Sequence, residues 1–246
     1  MKIYGLIGNP LGHSFSQRYF DQKFRHAGIQ NTVYLNFEIP DLEEGISMLK
    51  AKSGLYGLNV TIPYKSQIIS YLDIVSEVCK EINACNCIKI DEKGWSGFNT
   101  DVVGFEKTFI LHLNSSNKKA LILGTGGSSK AVAYVLKKLE IDFLFVSRNK
   151  DLRSGIISYA EVTEALMREY KIVINTTPVG MFPNVDVSPP LPYSAITSEH
   201  YLFDLIYNPA ETAFLKQGRL KGATTQNGEK MLVIQAEESW EIWNSE

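Results

Sequence analysis

The apolar run Ala120-Leu121-Ile122-Leu123 is followed at once by Gly124-Thr125-Gly126-Gly127-Ser128-Ser129 and then by a helical pattern through Val135 and Leu139. No other segment narrows the fold so far. A continuously apolar strand is one buried on both faces, the condition of a parallel sheet covered by helices. A glycine-rich turn from such a strand into a helix lets the backbone approach an anion closely and leaves free N–H groups at the helix N-terminus to meet it. Short apolar runs recur at 143–146, 172–174 and 201–205, with helical patterns between some of them. That rhythm predicts an α/β fold with a doubly wound, Rossmann-type sheet in the second half of the chain. Ser129 fills the third glycine position of the usual fingerprint, so the glycine match is partial.

Up to about residue 100 the apolar pattern alternates between two periods. Phe20, Phe24 and Ala27 fall at helical spacing after Ser16, whereas Val33, Leu35, Phe37 and Ile39 interleave with polar or half-polar residues in a period of two. The simplest parse is strand (1–8), helix, strand, then a helix capped by Asp41 and carrying Leu42, Ile46 and Leu49, then a strand over 55–62. A strand over 84–90 is turned by Asp91-Glu92-Lys93-Gly94 into another over 95–98. This half is an α/β domain of its own. The polar stretch Asn114-Ser115-Ser116-Asn117-Lys118-Lys119 marks the start of a second unit. Residues 228–243 form a strongly apolar helix with Met231, Leu232, Ile234, Gln235, Trp240 and Trp243; periodicity leaves its packing partner open.

With 246 residues, 44% hydrophobic and 21% charged, the chain can bury a large core in one or two domains. A formal net charge of -2 does not supply the broad basic field that nucleic acid requires. No apolar stretch reaches spanning length, and the apolar N-terminus meets Asn9 and Pro10 too soon for a signal segment, so a cytoplasmic protein with no membrane partner is expected. Cys79, Cys85 and Cys87 suit neither a disulfide framework nor a zinc knuckle; reduced thiols and no metal are expected.

The strand over 141–146 ends in Ser147-Arg148-Asn149-Lys150, about twenty residues beyond the glycine turn, where a site for NAD places an acid on the ribose. No acid stands there. Arg148 offers a planar fork and Lys150 a point charge to a 2′-phosphate, with Arg153 in reserve, so the expected cofactor is NADP (NADPH) rather than NAD. From Asn149 to Gly155 there is no room for a crossover helix, which predicts a loop and hence a mobile phosphate clamp. In the first half, Asn59-Val60-Thr61-Ile62-Pro63-Tyr64-Lys65 and Gly97-Phe98-Asn99-Thr100-Asp101 bring one lysine and one aspartate into segments of small hydrogen-bonding residues. Asn59 and Thr61 on an extended stretch and Lys65 just after it would converge on one cleft, as a polyol site with one acid/base centre requires.

Taken in order and spacing, these segments resemble the shikimate dehydrogenase family. Those that carry the likeness are Gly8-Asn9-Pro10-Leu11-Gly12-His13-Ser14-Phe15-Ser16, the 59–65 and 97–101 runs, Asn83-Ala84-Cys85-Asn86, the turn at Gly124, Ser147-Arg148-Asn149, Asn175-Thr176-Thr177-Pro178-Val179-Gly180-Met181, 204–209 and 228–235. The resemblance implies an N-terminal substrate domain (1–101 with about 228–246, the C-terminal helix returning to it) and an NADP-binding domain (102–227). It implies the reversible NADPH-dependent reduction of 3-dehydroshikimate to shikimate in aromatic amino-acid biosynthesis, by a monomer or homodimer. It places Ser14, Ser16 and Tyr207 on the substrate carboxylate, Asn59, Thr61, Asn86 and Gln235 on the ring hydroxyls, and Lys65 with Asp101 as the catalytic pair. On the cofactor side it implies Gly124, Thr125, Gly126, Gly127 and Ser128 at the pyrophosphate and Ser147, Arg148, Asn149 and Lys150 about the 2′-phosphate. Thr176 is assigned to the cofactor as well, and Leu205 and Gly228 flank the nicotinamide. The alternatives are a quinate/shikimate dehydrogenase accepting NAD or NADP and a catalytically silent shikimate-binding sensor; retention of both Lys65 and Asp101 argues against the sensor. The chain departs from the family pattern at Gln17, where proline is usual, at Cys87, where threonine is common, and in the short segment after Arg148. His13 reads as structural.

Overall fold

The structure, a computed structural model, describes residues 1–12, 15–151 and 155–245. Ser14, His13 and Arg153 lie outside the described residues. The chain forms two compact units, Met1–Thr100 with Ala236–Glu246, and Asp101–Gln235.

The first unit runs β1 (Lys2–Gly8), α1 (Phe15–His26), β2 (Thr32–Glu38), α2 (Leu42–Lys50), β3 (Leu55–Val60), a 3-10 turn (Gln67–Tyr71), β4 (Ile74–Val75), α3 (Glu77–Ile82), β5 (Cys87–Asp91) and β6 (Gly94–Phe98). Its sheet has the order β2-β1-β3-β5-β6-β4. β1 is parallel to β2 and β3, while β5 is antiparallel to β3 and β6. α2 starts where expected because the Asp41 carboxylate accepts from the Glu44 N–H at 3.0 Å, satisfying one of the orphan donors of the first turn. Two expected strands are shorter than their apolar runs. β3 stops at Val60 rather than Ile62 because the Tyr64 N–H folds back onto the Thr61 carbonyl at 2.9 Å. β5 starts at Cys87 rather than Ala84 because the Cys85 N–H leaves the ladder for the Lys65 carbonyl at 2.7 Å.

The second unit follows with α4 (Thr100–Phe109, its first residue the last of the first unit), β7 (Lys119–Leu123), α5 (Gly127–Lys138), β8 (Asp142–Ser147), β9 (Ile156–Ser158), α6 (Glu164–Glu169), β10 (Ile172–Asn175), β11 (Tyr201–Asp204), α7 (Ala213–Leu220), β12 (Thr224–Gln226) and α8 (Glu229–Asn244). The sheet order is β12-β11-β10-β7-β8-β9, with every pairing parallel. Counted within the unit, this is the doubly wound order in which strands leave a central strand in opposite directions, and the reversal falls between β7 and β10. No helix lies among the described residues between β8 and β9, as the short connection requires.

The division between the units runs through α8. Its residues 229–235 belong to the second unit, where the Met231 carbonyl lies 2.7 Å from an ideal Cβ on Gly104. Its residues 236–244 belong to the first, where they close an aromatic core. Trp243 stacks on Tyr4 with centroids 4.9 Å apart, lies 5.4 Å from Phe20, and donates its indole N–H to the Ile88 carbonyl at 3.0 Å. A Cβ on Gly57 would meet the indole at 2.4 Å, so β3 admits the ring only at a glycine. Among the described residues no helix is long and apolar enough to cross a membrane. Trp243→Ala is expected to cost the first unit about 3–5 kcal/mol, the scale for an aromatic truncated in a packed core, read by urea unfolding.

Candidate active site

Because β1, β2 and β3 are parallel, their carboxyl ends share one edge, where chain leaves the sheet and side chains are freed from packing. Asn59 stands next to last on β3 and is buried. Its Oδ1 accepts from the Tyr34 hydroxyl at 2.9 Å, and its Nδ2 donates to the Asn86 carbonyl at 3.2 Å and to Ser239 Oγ at 2.9 Å. The Asn86 carbonyl can only accept, which fixes which way the Asn59 amide faces. Asn86 clasps Thr100, taking its N–H at 2.7 Å and donating to its hydroxyl at 3.0 Å, and the Thr100 and Ser239 hydroxyls are 3.2 Å apart. Ser16, in the first turn of α1, hydrogen-bonds Tyr34, whose hydroxyl is pushed well above its usual range by burial. Ser16, Asn59 and Asn86 thus belong to one polar row, linked by Tyr34, Thr100 and Ser239. Sequence reasoning missed those three linking residues; Ser239 is buried between half-buried neighbours on α8, one turn from Gln235 and Ala236.

Thr61 follows directly and is half-buried, its N–H bonded to the Ile7 carbonyl at 2.9 Å. Lys65 lies in a turn whose backbone is pinned on both sides, by Cys85 N–H on the Lys65 carbonyl and by Ser66 Oγ on the Asn83 carbonyl at 2.8 Å. Of the two departures here, Gln17 is tied to β2 by accepting from Asn36 Nδ2 at 2.9 Å. Cys87 is fully buried, its thiol pushed up to about 12 mainly by burial, and it hydrogen-bonds Ser239.

In the second unit, Gly124 has φ +105°, and a Cβ there would lie 2.8 Å from Thr176 Oγ1, so the turn requires glycine twice over. Thr176 closes it by donating its N–H and hydroxyl to the Leu123 carbonyl at 3.0 and 2.6 Å. Gly126 caps α5, and a Cβ on it meets nothing within 4 Å. Thr125 is exposed, Gly127 and Ser128 are half-buried, and no acid lies in the first turn of α5. An open helix N-terminus of twelve residues without a carboxylate fits a pyrophosphate. Ser129, in the third glycine position, is buried and donates to the Gly126 carbonyl at 2.6 Å, so the serine braces the turn.

The basic turn adjoins it, since Gly124 N–H donates to the Val146 carbonyl at 2.8 Å and β8 ends one residue later at Ser147. Arg148 and Asn149 are exposed. Burial pushes the Tyr159 hydroxyl up, and the nearby Arg148 charge pulls it partly back. Lys150, expected as a second cation for the phosphate, is exposed and ion-paired with Glu161. Glu161 is itself fixed by Ser158, accepting from its N–H and hydroxyl at 2.9 Å each, and the Lys150 bond with these two draws the carboxyl down to about 2. The pattern Ser158-x-x-Glu161 is a capping box, a signal present in the sequence that went unused.

The remaining residues of this unit fall at the carboxyl ends of β10 and β11 and on α4 and α8. Leu205 and Tyr207 are half-buried in the loop after β11, and Gly228 is buried, its N–H on the Ile206 carbonyl at 3.0 Å. Asp101 is buried in the first turn of α4, where the helix end favours a negative charge. Gln235 is buried on α8 and donates to the Leu232 carbonyl at 3.0 Å.

Residues 6–88 match the shikimate dehydrogenase substrate binding domain family. Over nearly the whole length, the chain is 40% identical to the shikimate dehydrogenase (NADP(+)) of Methanococcus maripaludis strain C6, covering 98% of this chain and 91% of that protein. It is 38% identical to the shikimate dehydrogenase (NADP(+)) of Caldicellulosiruptor saccharolyticus, covering 99% and 92%. Among solved structures, the chorismate mutase/shikimate 5-dehydrogenase fusion protein from Clostridium acetobutylicum superposes with a TM-score of 0.88 at 39% identity, covering 99% of this chain and 91% of that one.

Ser239→Ala removes the partner of one Asn59 amide hydrogen. It is expected to lower the unfolding free energy by about 1–3 kcal/mol, the cost of a buried donor left unpaired, and Ser239→Thr, which restores a hydroxyl, to recover part of it in the same denaturation measurement.

Proposed function

The chain belongs to the shikimate dehydrogenase family, and from that premise we propose that it catalyses the reversible NADPH-dependent reduction of 3-dehydroshikimate to shikimate, a step of the shikimate pathway. The observation that carries this reading is the row of neutral hydroxyl and amide groups at the β1–β3 edge, followed on the chain by a single pinned lysine. Neutral donors and acceptors read hydroxyl positions on a polyol and reject an analogue lacking one by leaving a partner unpaired. Asn59 spends both amide hydrogens on Asn86 and Ser239, so it meets a ring hydroxyl as an acceptor, through the second lone pair of Oδ1. Thr61, Asn86 and Gln235 share that task, and Ser14, Ser16 and Tyr207 take the carboxylate.

NADPH, when bound, supplies the hydride. Lys65 supplies the proton: an ammonium both stabilises the alkoxide that develops at the ketone oxygen and donates to it, with Asp101 as its acidic counterpart in the catalytic pair. The glycine turn with the α5 N-terminus takes the pyrophosphate, Ser147, Arg148 and Asn149 surround the 2′-phosphate, and Thr176, Leu205 and Gly228 attend the nicotinamide. Lys150 adds a second charge beside the 2′-phosphate, one it shares with Glu161 across an exposed pair, so the planar fork of Arg148 carries most of that recognition. That one observation favours a second reading, a quinate/shikimate dehydrogenase that also accepts NAD. The substrate is a small molecule, and the chain acts in the cytoplasm as a monomer or homodimer.

An absorbance assay at the nicotinamide band, with shikimate and quinate against NADP and NAD, tests these readings together; turnover with none of the four pairs overturns both. Lys65→Ala is expected to lower kcat by at least about a hundredfold with a smaller change in KM, and a near-normal kcat would refute the proton-donor role. Arg148→Ala is expected to raise KM for NADP by about tenfold or more while leaving NAD nearly unchanged, in steady-state kinetics with each cofactor.

A further inference from the structure

One buried carboxylate organises the loops after β10 and β11. Asp204, fully buried at the end of β11, accepts from the Ile206 N–H at 3.0 Å, from Asn175 Nδ2 at 3.1 Å and from the Thr212 hydroxyl at 2.6 Å. Each donor governs a different stretch. Ile206 sits in the loop that carries Leu205 and Tyr207, and its carbonyl receives the Gly228 N–H at 3.0 Å. Gly228 in turn is pressed onto Leu205, whose carbonyl oxygen would be 2.1 Å from a Cβ there. Asn175 ends β10, and its Oδ1 receives the Thr177 N–H at 3.1 Å and hydroxyl at 2.7 Å, shaping the loop that begins with Thr176. Thr212 caps α7, where its Oγ1 accepts from the Leu215 N–H at 3.3 Å.

Three donors converge on two oxygens, the Ile206 N–H and Asn175 Nδ2 on Oδ1 and the Thr212 hydroxyl on Oδ2. Ionisation makes all three bonds charge-assisted, and a proton on either oxygen removes that strengthening. We propose that Asp204 is a positioning residue for the nicotinamide half of the cofactor, its charge holding the β10 and β11 loops in their binding arrangement. This rests on the NADP reading given above.

Burial pushes the Asp204 carboxyl up to about 6, against the pull of its three donors, so the hub discharges in mild acid where exposed carboxylates stay charged. Its partners from β10, from its own loop and from α7 are neutral groups. Tyr193, which faces it from the 193–195 turn, is raised by burial to about 12 and keeps its proton throughout.

The test is a pair of binding titrations on the whole protein, wild type and Asp204→Asn, on either side of pH 6. NADPH is followed by nicotinamide fluorescence, and 2′-phospho-ADP-ribose, which has the 2′-phosphate and the pyrophosphate but no nicotinamide, by calorimetry. Titration of the 2′-phosphate affects both ligands alike, so the ratio of the two affinities isolates the nicotinamide half. In the wild type, NADPH is expected to weaken relative to 2′-phospho-ADP-ribose by about tenfold as pH falls through 6, the scale of one lost charge-assisted hydrogen bond. Asp204→Asn is expected to bind 2′-phospho-ADP-ribose as the wild type does and NADPH about tenfold more weakly at neutral pH, with the NADPH-specific pH dependence gone. A variant that binds NADPH normally, or that keeps the pH dependence, overturns the proposal. Should that variant not fold, the wild-type ratio still decides: a ratio constant with pH overturns it. A wild type that binds neither ligand removes the NADP reading, and this inference with it.

Discussion

The amide of Asn59 is buried at the end of β3 on condition that every hydrogen it carries finds a partner. Its hydrogens go to Asn86 and to the last helix and its oxygen accepts from β2, so the row from Tyr34 through Asn59 and Ser239 to Thr100 and Asn86 forms as a whole or leaves buried donors unpaired. Around it lie Tyr4, Phe20, Phe24, Trp240 and Trp243, which supply the apolar area and the low polarity that make each of those bonds count. The position of the edge residues therefore follows from a balance: aromatic packing draws the segments together, and the polar row fixes how they meet.

The second unit solves a similar problem with charge in place of neutral groups. All of its strands run one way, so every loop that follows a strand emerges at one edge. The glycine turn is braced by Thr176 and Ser129, and the loops after β10 and β11 by Asn175 and Asp204. Those side chains are thereby spent within the turn and the loops, while Gly126 at the start of α5 stays open, a Cβ on it meeting nothing within 4 Å. The basic turn after β8 obeys the same economy, with Glu161 committing Lys150 and leaving Arg148 exposed.

Much of this was legible in the chain because the signals were local. The strands β7, β8, β10 and β11 are short apolar runs, and a glycine turn between strand and helix is spelled by neighbouring residues. β12 escaped because Thr224-Thr225-Gln226 pairs at a sheet edge and has no apolar run to announce it. α3 and α6, of six residues each, are too short for a helical period to show. Ser239 could not be read because its partners Asn59 and Thr100 are 180 and 139 positions away; burial of a polar residue at such a distance is a property of the packed unit. The Lys150 pairing belongs to a different class, since its capping signal was present and only its consequence for the lysine went unseen.

The split of the first unit, residues 1–100 completed by 236–246, has a consequence for how the chain is made. During synthesis its sheet leaves the ribosome before the second unit, but Ser239 and Trp243 follow only after that unit. Until they arrive, Tyr4 and Phe20 lack the ring that covers them and Asn59 lacks one acceptor. The second unit is continuous in the chain and can close first. The unit begun before the other is thus completed after it, and in the interval its aromatic face is open to wrong partners.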